Sequence, residues 1–105
     1  MEKIVEQNLL FDFYGELLTE HQRNVYRDAV CNDMSLSEVA EEYGISRQGV
    51  HDLLKRCDKI LQDYEDKLRL IRRFDAIGEK LEEIRSLSGE QEDILKLTEE
   101  IREQL

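Results

Sequence analysis

Apolar positions along this chain recur at helical spacing, without the alternation of strands. Val5, Leu9, Leu10, Phe13 and Leu17 step by three and four, which predicts a first helix over about residues 2–18 with these side chains inward. Thr19 follows as an N-cap, with Gln22 three positions on as its capping-box partner. A second helix is predicted to run to about Asn32, burying Val25, Tyr26, Ala29 and Val30, and Asn32–Asp33 supplies turn chemistry. Ser35 and Glu38 repeat the capping-box pattern and open a short helix, Leu36–Tyr43, with Leu36, Val39 and Ala40 inside. Gly44 ends it, because glycine takes positive φ without steric cost. Ser46 caps the next helix, whose inner positions are Val50, Leu53, Leu54, Cys57, Ile60, Leu61 and Tyr64.

From Leu61 the pattern approaches a heptad seam through Tyr64, Leu68 and Ile71. After Phe74 the register loosens, and Gly78 reads as a break or kink. Leu81, Ile84 and Leu87 resume the spacing, Ser88–Gly89 marks a linker, and Ile94, Leu97, Ile101 and Leu105 predict a final amphipathic helix. The expected fold is all-α: a helical bundle containing a helix-turn-helix, followed by amphipathic C-terminal helices. Residues 1–74 are expected to form the helix-turn-helix domain, with its motif over 36–55. Residues 75–105 are expected to be an acidic helical tail that packs on the bundle or dimerises. The absence of proline leaves long helices unbroken, and 105 residues suit one small domain.

Charge changes this picture more than composition does. The net charge is −10, which opposes nonspecific binding to nucleic acid. Its distribution is uneven: residues 75–105 carry ten acids and four bases, while residues 44–73 carry eight bases and five acids. A polyanion is therefore expected to meet the middle of the chain. No stretch approaches the roughly 18 apolar residues of a membrane span, and the acidic, amphipathic N-terminus is not expected to be a signal peptide. Cys31 and Cys57 lack metal or redox spacing, so a reduced, cytoplasmic protein is expected.

The chemistry sits in LSEVAEEYGISRQGVHDLLK, over Leu36–Lys55. A helix-turn-helix needs a small residue where its helices meet (Ala40), a turn residue tolerant of unusual backbone angles (Gly44), and apolar anchors on the second helix (Ile45, Val50, Leu53). The second helix presents Ser46, Arg47, Gln48, His51, Asp52, Lys55 and Arg56 as candidate nucleic-acid-binding residues. Arg47, Gln48 and His51 lie at the end that enters the major groove in this motif, where Arg pairs with guanine and Gln with adenine. Lys55 and Arg56 are placed to hold phosphates. The bland reading of the same face is a solvated surface with a basic bias. Gly49 weakens this helix by about 1 kcal/mol relative to alanine, and either permits close backbone approach or is tolerated near the helix start. His21 is expected to be exposed without a role, and Cys57, like Cys31, to be a small buried hydrophobe. No nucleophile–base spacing, phosphate loop or dinucleotide fingerprint is present, so no enzyme and no cofactor or metal are expected.

Three segments, FDFYGELLTEHQ, SLSEVAEEYGISRQGVHDLLKR and LQDYEDKL, resemble the YlxM-like family of small bacterial helix-turn-helix proteins over about residues 8–70. That motif is similar to region 4 of bacterial sigma factors, which reads promoter DNA. The resemblance implies a regulator associated with the signal recognition particle pathway. It also implies an alternative ligand, the RNA or protein of that particle, met by the same basic stripe together with Arg69, Arg72 and Arg73. Gly49 and His51 depart from the alanine and aromatic residue expected there. The expected partners are thus DNA, or the particle's RNA or protein, together with a second copy of the chain in a homodimer. No membrane or small-molecule substrate is expected.

Overall fold

The computed structural model describes residues 2–105, and every regular element among them is helical. They form two compact units that divide after Arg69.

The first unit holds four helices. α1 (Lys3–Tyr14) runs into a 3-10 turn (Gly15–Leu17). The tighter turn shifts the register by one residue, so Leu18 is buried where Leu17 was expected, and Leu17 is 53% exposed. α2 (Glu20–Tyr26) starts at the predicted Thr19–Gln22 capping box, with both reciprocal bonds formed. It is shorter than expected because the chain widens into a π turn over Arg27–Cys31, where the Asn32 amide donates to the Arg27 carbonyl at 2.9 Å. α3 (Leu36–Tyr43) and α4 (Arg47–Leu68) follow.

Val25, Val39, Ala40 and Val50 form the core where α2, α3 and α4 meet, with Met34, Leu36, Ile45, Leu53 and Leu54 packed around it. Val25, Val39 and Val50 are fully buried, which contributes roughly 1.5–3 kcal/mol per side chain. Farther along α4, Cys57 and Leu61 are fully buried, as are Tyr26 from α2 and, but for 1%, Tyr14 from α1. The tyrosines carry polar ties. Tyr26 donates to Asp58 Oδ1 at 2.6 Å, and the Gln7 amide reaches both Asp58 oxygens at 3.0 Å. Tyr14 donates to Glu65 at 2.6 Å and stacks against Tyr64 at 6.0 Å between ring centroids. Phe11 stacks on Tyr26 at 5.5 Å beneath the Arg27 guanidinium. α1 and α2 are thus fastened to α4 by apolar contact and by hydrogen bonds to acids of α4.

The heptad seam expected from Leu61 to Ile71 is not one helix. α4 stops at Leu68, which is 43% exposed, and Arg69 adopts a left-handed conformation at φ 56°. The units therefore divide after Arg69, five residues before the boundary expected at residue 74. A left-handed arginine leaves no mark in sequence comparable to a glycine.

The second unit is a helical hairpin of α5 (Leu70–Ser88) and α6 (Glu92–Gln104). α5 passes through Gly78 without the expected break, because its flanking residues are good helix formers. α5 runs through Ser88, and the turn follows over residues 89–91, with Gly89 at φ 58°. Arg102 pairs with Glu82, and Arg85 with Glu99 at 3.6 Å, so the helices run antiparallel. Leu81 and Thr98 are buried between them. Among the described residues no helix is long and apolar enough to cross a membrane.

Candidate nucleic-acid interface

The interface is built by how α3 ends and α4 begins. Ser35 accepts from the Glu38 amide while Glu38 returns a bond to Ser35, which fixes the start of α3. At its other end Gly44 sits at φ 64°, ψ 35°. The Ile45 amide donates to the Ala40 carbonyl at 3.1 Å and the Gly44 amide to Glu41 at 3.4 Å, the two bonds of a Schellman motif. The chain reverses there in the fewest residues, and Ile45 folds onto the Val25–Val39–Ala40–Val50 core. Ser46 then accepts the Gly49 amide at 2.9 Å, satisfying a free donor at the start of α4. A Cβ on Gly49 would come within 3.1 Å of the Ser46 hydroxyl oxygen. Glycine here keeps the cap uncrowded, which gives this unusual residue a local reason.

Arg47, Gln48, His51, Asp52, Lys55 and Arg56 are all exposed and share the outer side of α4, and Ser46 is exposed at its N-cap. Within the set the residues divide. Gln48 donates its amide to Asp52 Oδ1 at 2.9 Å, and His51 Nδ1 lies 3.6 Å from the same oxygen. Asp52 therefore holds Gln48 and brings a negative charge into the face. Arg47, Lys55 and Arg56 have no ion-pair partner among the described residues, which leaves three cations free for an external anion. Lys59, one turn farther on, is 4.0 Å from Asp63.

Two supports of this face were not legible in the sequence. Tyr43, the last residue of α3, donates to Asp28 at 2.5 Å, and this bond is the main cause pushing its phenol up to about 12. Directly behind the outer face, burial pushes the Cys57 thiol up to about 11, with the Asp58 carboxylate adding to it. Burial and the bond to Asp58 raise the Tyr26 phenol as well. The hydrogen-bonded pairs Tyr43–Asp28 and Tyr26–Asp58 lie 15 and 32 residues apart, beyond any local pattern. His21 is exposed, as expected, and its ring meets the edge of Tyr43 at 6.0 Å. Cys57 is buried as expected, while Cys31 is only half-buried.

A capped helix, a left-handed glycine turn and a second capped helix with a cationic outer face define a helix-turn-helix protein. The chain belongs to the UPF0122 family, described as "Putative helix-turn-helix protein, YlxM / p13 like", whose family model matches residues 1–101. It is 44% identical over 102 residues to UPF0122 protein YlxM of Bacillus subtilis (strain 168), covering 94% of this chain and 93% of the relative. A UPF0122 protein of Shouchella clausii is 45% identical over 85 residues, covering 81% and 78%. One of Thermoanaerobacter sp. (strain X514) is 44% identical over 103 residues, covering 92% and 88%. The family match extends well past residue 70, so the helical hairpin is part of what these proteins share.

Proposed function

We propose that this protein is a cytoplasmic helix-turn-helix regulator that docks the N-terminal half of α4 in the major groove of duplex DNA. The observation that carries this reading is the outer side of α4, where Arg47, Lys55 and Arg56 are exposed, without ion-pair partners among the described residues, beside Gln48 and His51. Arg47 reaches a guanine edge, Gln48, oriented by Asp52, reads an adenine, and His51 stands between them. Lys55 and Arg56 grip phosphates, and Ser46 marks the helix start that approaches the backbone. The role is recognition, not catalysis. The net charge of −10 keeps nonspecific affinity low, so the reading requires a specific site.

Selection from a randomised duplex pool, followed by affinity measurement across a salt series, tests it. An enriched motif is expected. Arg47→Ala should cost about 1–3 kcal/mol and relax preference at one base pair. Lys55→Ala should weaken all sequences alike and lower the salt slope by about 1. No enriched sequence, or variants that bind like the parent, would refute the reading.

The acidic balance favours a second reading, an adaptor for the signal recognition particle through its RNA or protein. The same salt series run on the particle's RNA separates the two. Tight RNA binding with no duplex binding would replace the first reading with the second.

A further inference from the structure

Of residues 70–105, all of them described, only Leu81 and Thr98 are buried. A hairpin of this size with a single leucine at its centre lacks the core that holds so small a unit together. Leu70, Ile71, Phe74, Ile94 and Leu95 are half-buried, and the other large apolar residues lie outside that centre. Ile77, Ile84 and Leu87 of α5, Leu97 and Ile101 of α6, and Leu105 directly after α6 are all exposed, Leu87 by 88% and Leu97 by 58%.

These six side chains form one face. Ile77 and Ile84 stand four before and three after the buried Leu81, and Ile101 and Leu105 stand three and seven after the buried Thr98. At about 100° per residue the three helical isoleucines are each rotated by roughly 40–60° from the buried position, all in the same sense. In antiparallel helices equal rotations carry both stripes to the same side of the hairpin. Leu87 and Leu97 extend those stripes to the two outer edges.

We propose that this face is covered by the same face of a second copy, making a four-helix bundle from two hairpins. Charge selects the arrangement. α6 carries five acids and two bases, whereas α5 carries four of each. Stacking α6 on α6 sets two acidic helices side by side. Placing α5 of each copy on α6 of the other avoids this and keeps every neighbouring pair antiparallel. The inference is independent of which ligand α4 takes.

The pairing has a geometric signature. Arg102 meets Glu82 and Arg85 meets Glu99, so Leu87 lies level with Leu97 along the hairpin. Within one hairpin these two residues are at opposite outer edges. Across the proposed interface Leu87 of one copy is level with and next to Leu97 of the other.

Light scattering of the full chain should give twice its 12.5 kDa mass. Leu97→Glu with Ile101→Glu should shift dissociation by at least about 100-fold in concentration. Both substitutions fall on exposed positions. All four tyrosines lie at or before Tyr64, so tyrosine fluorescence reads the first unit alone, and its urea midpoint should not move. With Cys31→Ser and Cys57→Ala as background, Leu87→Cys with Leu97→Cys should give a covalent dimer on oxidation, while neither single cysteine does. A monomer at every concentration hands this face to a partner of other chemistry and overturns the proposal. So does a dimer indifferent to the double glutamate variant. A covalent dimer formed by either single cysteine, or none from the pair, overturns the α5-on-α6 arrangement.

Discussion

Replacing Asp58 by alanine removes one carboxylate that receives bonds from two other helices. Tyr26 donates to it at 2.6 Å and Gln7 at 3.0 Å. Tyr26 is fully buried, so its hydroxyl cannot turn to water and is left without an acceptor. An unsatisfied buried donor costs about 1–3 kcal/mol, and a bond to a charged acceptor contributes about 1.5–3 kcal/mol. The two overlap for Tyr26, so Asp58→Ala should destabilise the first unit by about 3 kcal/mol. Tyr26→Phe removes the donor and leaves Asp58 half-buried with Gln7 still bound, a loss of about 1 kcal/mol. In the double variant no orphaned hydroxyl exists. Its loss should fall short of the sum of the singles by about 1–2 kcal/mol. The assay is urea unfolding followed by tyrosine fluorescence, for which Tyr14, Tyr43 and Tyr64 remain as reporters. Strict additivity, or a loss below about 0.5 kcal/mol for Asp58→Ala, would refute the claim that this bond fastens α2 to α4.

Gly44→Ala should cost about 1–2 kcal/mol from the left-handed backbone alone, because a Cβ there meets nothing within 4 Å; a neutral effect in urea would contradict the turn geometry. Alkali should unfold the first unit. The Cys57 thiol rises from 9.0 to about 11 and the Tyr43 phenol from 10.0 to about 12, with Tyr26 raised also, so the folded chain keeps protons that the unfolded chain releases. That stability is complete below about pH 9 and is lost as pH rises toward 12. Urea midpoints that hold or rise across this window would show the sign to be wrong. A thiol reagent at mildly alkaline pH should label half-buried Cys31 first and Cys57 only as fast as the chain opens, and equal rates would contradict the burial of Cys57.

The helices, their caps and the motif follow from short stretches of residues alone. Thr19, Ser35 and Ser46 accept backbone amides within their own turn, and Gly44 takes the one conformation its neighbours would resist, so short-range chemistry sufficed. The spacing of Val39, Ala40, Val50 and Cys57 likewise marked the inner faces, because burial follows helical periodicity. Membership of the family was legible for the same reason, since its most telling residues are the capped turn and the recognition helix.

The rest is set by contacts between distant segments and by backbone turns without a sequence signature. Whether Leu17 or Leu18 enters the core depends on a 3-10 turn that no propensity dictates. The end of α4 depends on a left-handed arginine, and the passage of α5 through Gly78 on its neighbours. Asp58, Asp28 and Glu65 carry no local mark of a role in the sequence, yet each receives a tyrosine hydroxyl from a distant segment. The seven candidate residues at the start of α4 and its N-cap were legible as a face, but that Asp52 holds Gln48 while Arg47, Lys55 and Arg56 have no ion-pair partner among the described residues emerged only from side-chain geometry. Periodicity shows which side of a helix is apolar. It cannot show what that side meets, because the contact is made across space between residues far apart in the chain.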